Sequence, residues 1–192
     1  MLKPRMKSSM MKNKVQKAIL FAVKKHRYQM RKGTNLPYVV HPLSVMKQLI
    51  DMGAEEDVII AGVLHDTLED TNTSYRELKR HFGVRVADIV KGCSENKELL
   101  WRERKQETID KMNNPDNEDV FLVELADKYC NLKDIWLECH KKGFWKRFKS
   151  SKKSLKWYYL GINNAIKRYY AKTGKYLNIS WHFDEMWVKV FG

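Results

Sequence analysis

Cysteine is scarce in this sequence: Cys93, Cys130 and Cys139 are an odd number at unpaired spacing. That argues for reduced thiols in a cytoplasm and against a disulfide scaffold. No apolar run approaches the roughly 18 residues that a membrane span needs. The longest near the start, Ala18 to Val23, is too short for the apolar region of a secretory signal, and no cleavage site follows it. The expectation is a cytoplasmic protein with no membrane role. Acidic residues are missing altogether from residues 1–50, which carry 12 Lys and Arg. Residues 51–139 reverse the balance, with 21 acidic against 12 basic, a net of −9. Residues 140–192 hold 13 basic and 2 acidic, a net of +11, and the whole chain stands at +14. An acidic centre between basic flanks suits a metal-dependent site for a highly phosphorylated ligand, with carboxylates for the cation and the flanks attracting the anion. Lys outnumbers Arg 27 to 10, a bias that also serves as a plain solubilising surface.

There is no internal repeat and no βαβ alternation. What is present is helical periodicity in a chain of 192 residues, 43% apolar, enough for one domain with its own core. Val15, Ala18, Ile19, Ala22 and Val23 recur at one helical face, predicting a helix from about Lys12 to Met30. Gly33 to Pro37 is a loop. Pro42 falls in the first turn of a helix that runs to Met52 and closes at Gly53. Glu55-Glu56-Asp57 start a third helix, favourable against its dipole, running to about Leu68. Ser74 and Glu77 form a capping box for a helix ending at Phe82-Gly83, and another covers Val84 to Lys91. Further helices are predicted over Trp101–Met112 (exposed), Asp119–Ile135 (buried) and Lys153–Tyr170 (broken or strained at Gly161). The aromatic tail, Tyr176 to Phe191, is read as a helix packed on the body. The economical fold class is all-α.

Three segments hold the residues able to do chemistry: Tyr38-Val39-Val40-His41-Pro42, Leu64-His65-Asp66-Thr67-Leu68-Glu69-Asp70-Thr71, and Leu125-Ala126-Asp127-Lys128-Tyr129-Cys130-Asn131. Neighbours in a helix diverge by roughly 100°, so one ion shared by His65 and Asp66 requires a helix end. His41 and Asp127 can supply the remaining ligands. Two imidazoles and two carboxylates with open positions suit Mn²⁺ or Fe²⁺ better than structural zinc. Glu69, four residues after His65, lies one turn along the same face, where it can take a proton from a metal-activated water; Asp70 can orient or share it. Singly, each residue has an ordinary structural reading. The weight comes from His-Asp-x-x-Glu-Asp together with Asp127 in an otherwise apolar helix, because a buried carboxylate is costly unless paired or metal-bound.

The order His41, His65-Asp66, Asp127 resembles the metal-binding signature of the HD phosphohydrolase superfamily. The finer pattern is similar to its alarmone-hydrolase branch, the hydrolase half of RelA/SpoT-type proteins. Arg31-Lys32-Gly33, Pro37-Tyr38, His41-Pro42, Leu64 to Thr71, Phe82-Gly83 with Val86, and Leu125-Ala126-Asp127-Lys128 with Asn131-Leu132 carry the likeness, over about residues 14–166. The resemblance implies a single HD-domain helical bundle over residues 1–192, with a metal site between helices and a basic aromatic extension over 167–192. With no room for the family's synthetase and regulatory domains, the expectation is a small stand-alone hydrolase of the stringent response. It would remove the 3′-pyrophosphate from guanosine tetra- or pentaphosphate with Mn²⁺, giving GDP or GTP. His41, His65, Asp66 and Asp127 would hold Mn²⁺, and Glu69 with Asp70 would activate water. Arg31, Lys32 and Asn131 would contact the nucleotide, and Arg104 with Lys105 would clamp pyrophosphate. Cys130 stands where the long bifunctional enzymes usually have histidine, and the Lys32–Pro37 loop is one residue longer than theirs. His26, His81, His140 and His182 belong to no motif and are read as structural or surface residues.

Two other readings compete. One keeps the fold and metal but changes the substrate to another phosphorylated nucleotide such as NADPH. The other is a basic RNA-binding module using the lysine-rich flanks; it has no use for Glu69 and Asp70, so a nucleotide rather than a nucleic acid is the expected partner. Oligomeric state leaves no mark in the sequence.

Overall fold

A computed structural model describes residues 6–115 and 117–192, with side chains from Lys14 onward. These residues form two compact units that part between Ser94 and Glu95. Apart from a single antiparallel bridge between Met30 and Pro37, the regular structure among the described residues is helical. None of these helices is long and apolar enough to cross a membrane.

The first unit contains α1 (Met6–Lys25), α2 (Val40–Asp51), α3 (Glu56–Leu64), α4 (Thr67–Asp70), α5 (Tyr75–Phe82) and α6 (Val84–Cys93). Helix α3 packs against α1, α2 and α6. Every residue from Val58 to Leu64 is buried, as a helix enclosed by its neighbours requires. Ala18 and Ala22 of α1, Val45 and Leu49 of α2, and Val86, Ala87, Ile89 and Val90 of α6 complete this core. Gly62 permits the close α2–α3 approach, since a Cβ there would stand 2.2 Å from Leu49 Cδ1. The Ser74 cap is realised, its hydroxyl accepting from Glu77 N at 3.2 Å. At the other end of α5, Gly83 takes φ +96°.

Two helices end well short of the sequence-based expectation, and α1 also begins earlier than expected, at Met6 rather than about Lys12. Helix α1 stops at Lys25 rather than near Met30, because the next residues enter the bridge: Arg31 N donates to Leu36 O and Tyr38 N to Gln29 O, both at 2.8 Å. Helix α3 stops at Leu64 rather than Leu68. There, His65 Nδ1 and Thr67 Oγ1 take the carbonyls of Gly62 and Leu64, at 2.8 and 2.6 Å, and interrupt the helical ladder.

The second unit contains α7 (Trp101–Asn113), α8 (Glu118–Glu138), a 3₁₀ turn at Phe144–Arg147, α9 (Lys152–Thr173) and α10 (Leu177–Phe191). Helix α8 is buried without interruption from Phe121 to Asp127. The aromatic tail does form a helix packed on this unit, burying Ile179, Phe183, Met186 and Val190 as α10 contacts α8 and α9. Helix α7 is not simply exposed: Thr108, Ile109 and Met112 are buried, a narrow apolar stripe hidden among charges. Helix α9 runs unbroken through Gly161. The glycine serves packing instead, since a Cβ would stand 2.5 Å from Ile109 Cδ1.

Candidate metal centre and active site

In the first unit, His41 and Pro42 lie in the opening turn of α2, where His41 is buried at 3% exposure. His65 follows the last residue of α3 and is equally enclosed, at 5%. Their ring centroids lie 5.3 Å apart. The interruption after Leu64 resolves the difficulty of adjacent ligands: Asp66 Oδ2 lies 3.0 Å from His65 Nε2 and 3.8 Å from His41 Nε2. Gly62 O can only accept, so His65 Nδ1 carries a proton and donates it. In the neutral ring, Nε2 then presents a lone pair toward a carboxylate oxygen. Two lone pairs at that distance repel unless a proton or a cation lies between them. Two imidazole nitrogens and one carboxylate oxygen therefore form a donor set that fits a divalent cation.

Glu69 and Asp70 occupy α4, immediately beyond this cluster; Glu69 is half-buried and Asp70 exposed. Arg31 and Lys32 lie at the start of the bridged loop, the Arg31 guanidinium 5.8 Å from the centroid of the Tyr38 ring and Lys32 exposed. The first unit thus brings His41, His65 and Asp66 together and sets Glu69 and Asp70 one turn further.

In the second unit, Asp127 lies in α8 at 6% exposure. Lys128 Nζ stands 2.6 Å from its Oδ2, and Asn131 Nδ2 donates to its Oδ1 at 2.6 Å. Lys128 also reaches Glu124 Oε2 at 2.8 Å. Burial pulls the Lys128 ammonium down, but Asp127 and Glu124 outweigh it and hold the group well above the usual lysine range. Burial drives the Tyr158 phenol well above its ordinary range. Arg104 and Lys105 both pair with Glu95, Arg104 at 3.3 Å, and Lys105 lies 5.1 Å from the Tyr158 ring centroid. Burial raises the Glu95 carboxyl, yet Lys105, then Lys128 and Arg104, outweigh that and hold it below the ordinary value.

Three residues were given no role in the sequence reading, although Tyr38 and Lys128 stand within its motifs. Tyr38 donates its phenol hydrogen to Asp66 Oδ2 at 2.6 Å, and Gln29 Nε2 donates to Asp70 O at 2.6 Å. Lys128 is the third. Its one local signal was Glu124 four residues earlier, a spacing that pairs side chains on one helical face.

A helical fold with a histidine–aspartate cluster able to hold a cation defines a class of protein, and similarity to known proteins narrows it. The model of the HD domain family matches residues 18–147. The chain belongs to the HD domain family. It is 41% identical over 125 residues to the guanosine-3′,5′-bis(diphosphate) 3′-pyrophosphohydrolase of Aquifex aeolicus, covering 64% of this chain and 18% of that protein. It is 40% identical over 118 residues to the MESH1 protein of the same name from Danio rerio, covering 60% and 65%. The chain thus spans less than two thirds of the length of these curated relatives. Among solved structures, a metazoan ortholog of SpoT, described as hydrolysing ppGpp with a role in starvation responses, superposes with a TM-score of 0.75 at 27% identity, covering 92% of this chain and 94% of that one. The protein lmo0812 of Listeria monocytogenes EGD-e gives 0.71 at 32% identity, covering 83% and 100%.

Proposed function

We propose that this chain is a cytoplasmic Mn²⁺-dependent hydrolase that removes the 3′-pyrophosphate from guanosine tetra- or pentaphosphate, leaving GDP or GTP and pyrophosphate. One observation carries the reading: His41, His65 and Asp66 converge, with the Glu69–Asp70 pair one turn on. Relatives about 40% identical named for this reaction support it. So does the ppGpp hydrolysis described for the metazoan SpoT ortholog.

His41, His65, Asp66 and, from the second unit, Asp127 would hold the cation; His41, His65 and Asp127 are all buried. Mixed nitrogen and oxygen donors suit Mn²⁺. When bound, the cation supplies Lewis acidity toward water and neutralises phosphate charge. Glu69 accepts the proton of the attacking water and Asp70 orients that water. The water oxygen joins the departing pyrophosphate, the 3′ P–O bond breaks, and the ribose oxygen takes up a proton. Arg31 stacks on the base and Lys32 meets phosphate. Asn131, besides aligning Asp127, faces the nucleotide, and Arg104 with Lys105, oriented by Glu95, clamps the pyrophosphate. The substrate is a free nucleotide, and neither nucleic acid nor a membrane takes part. Because the family match begins in the first unit and ends in the second, residues 1–192 are read as one hydrolase domain serving a stringent response, with 167–192 an extension of it.

The test is a product assay on guanosine tetraphosphate with Mn²⁺, alongside EDTA and a Glu69→Gln/Asp70→Asn double variant. GDP and pyrophosphate should form with the wild type and fall by at least about 100-fold in the double variant and under chelation. A folded, Mn²⁺-loaded wild type that leaves this nucleotide intact while cleaving NADPH would refute the substrate assignment.

A further inference from the structure

We propose that His26, Gln29 and Tyr38 form a positioning layer for the candidate site, holding Asp66 and the Glu69–Asp70 turn in one fixed relation. The proposal rests on the hydrolase reading above and gives these three residues a role in it.

His26 follows the last residue of α1 and is buried. Its Nδ1 lies 2.6 Å from Gln29 Oε1, and an amide oxygen only accepts, so Nδ1 carries the proton and donates it. That bond turns the Gln29 amide so that its Nε2 donates to the main-chain oxygen of Asp70. The backbone carbonyl of the same glutamine accepts from Tyr38 N at 2.8 Å. Gln29 therefore holds two things at once: the end of α4 through its side chain, and Tyr38 through its main chain. The Tyr38 ring stands against the His26 ring, centroids 4.9 Å apart, and its hydroxyl reaches Asp66.

Each bond has a distinct consequence. Asp66 Oδ2, which receives the phenol hydrogen, is the same oxygen that faces both His65 and His41. A neutral donor fixes the carboxylate rotamer while leaving its charge intact for a cation, as partners of metal-ligating groups commonly do. Asp70 ends α4, a helix of four residues, and the last carbonyls of any helix lack partners within it. The Gln29 amide satisfies the Asp70 carbonyl and keeps that short turn from unwinding. Glu69 and Asp70 thereby keep their register on His65. The loop bearing Arg31 and Lys32 is tied in as well, since the Met30–Pro37 bridge starts one residue after Gln29 and ends one residue before Tyr38.

Two conservative variants separate the bonds. Tyr38→Phe keeps the ring and removes the hydroxyl; Gln29→Met keeps the length and backbone carbonyl and removes the amide. Mn²⁺ affinity would be read from the electron paramagnetic resonance signal of free Mn²⁺, together with kcat and KM for guanosine tetraphosphate and the urea midpoint of the metal-free protein. Tyr38→Phe should weaken Mn²⁺ binding about 10- to 100-fold while KM at saturating Mn²⁺ holds. Gln29→Met should keep Mn²⁺ affinity and KM and lower kcat at saturating Mn²⁺ by about 10- to 100-fold, as a misplaced acid–base pair would. An active wild type whose variants match it in affinity and kcat, or differ in urea midpoint alone, overturns the positioning role and leaves the hydrolase reading standing. A wild type that neither binds Mn²⁺ nor hydrolyses the nucleotide overturns that reading, and this proposal with it.

Discussion

Glu95 shows how single residues in the second unit depend on charges distant in sequence. Its carboxylate sits against Arg104 and Lys105, and these cations with Lys128 overcome a burial that would raise its pKa. A carboxylate whose folded pKa is depressed contributes stability that is fully present above its ordinary value of 4.5 and is lost as pH falls through the folded value. Glu95→Gln should therefore lower the urea midpoint at neutral pH, and the gap to wild type should close on the acid side of 4.5. Urea titrations across that range check it. The candidate residues His41, His65, Asp66 and Asp127 could be put forward from the sequence by their order and motif, and the structure brings His41, His65 and Asp66 together. Tyr38 and Gln29 were given no role there, since their partners lie 28 and 41 residues away and no local pattern announces such a bond. His26, read as structural or surface, is buried, and its Nδ1 lies 2.6 Å from Gln29 Oε1.

Helices were read with similar success and similar limits. Proline, glycine and the Ser74 cap placed the starts and stops of α2 and α5, because these residues act on the backbone beside them. The ends of α1 and α3 were overestimated. In both, groups beyond the helix divert the backbone, by a bridge in one case and by side chains taking carbonyls in the other. Gly161 was read as a weak point in α9 and is instead a contact point. A methyl group there would meet Ile109 Cδ1 at 2.5 Å and Cγ1 at 2.9 Å. Gly161→Ala gains about 1 kcal/mol of helix propensity and incurs about 1–3 kcal/mol of overpacking. The expected result is a net loss near 1 kcal/mol, visible as a lower thermal midpoint. Ile109→Val removes the Cδ1 that clashes, so the double variant should recover part of the loss. Full additivity of the two changes would contradict this account.

At the scale of the whole molecule, the acidic middle and basic flanks suit the proposed reading, in which carboxylates would hold a cation and the flanks would attract an anion. Metal binding to the folded state alone should stabilise it by mass action, about 2.7 kcal/mol at a free Mn²⁺ concentration 100 times the dissociation constant. Calorimetric scans should show the midpoint rising with Mn²⁺, returning with EDTA, and failing to rise in a His65→Ala/Asp66→Asn variant. By itself the sequence determined the helical class and the segments that become helices, and it put forward the histidines and carboxylates of the candidate site, because periodicity, caps and motif spacing act over a few residues. Tertiary structure alone decided that α3 breaks after Leu64, so that neighbours destined to diverge on a helix face one point. It also decided that Tyr38 and Gln29 brace that point and that Gly161 receives Ile109. Those outcomes depend on which atoms meet after the chain has packed, and distances between residues remote in sequence are set only then.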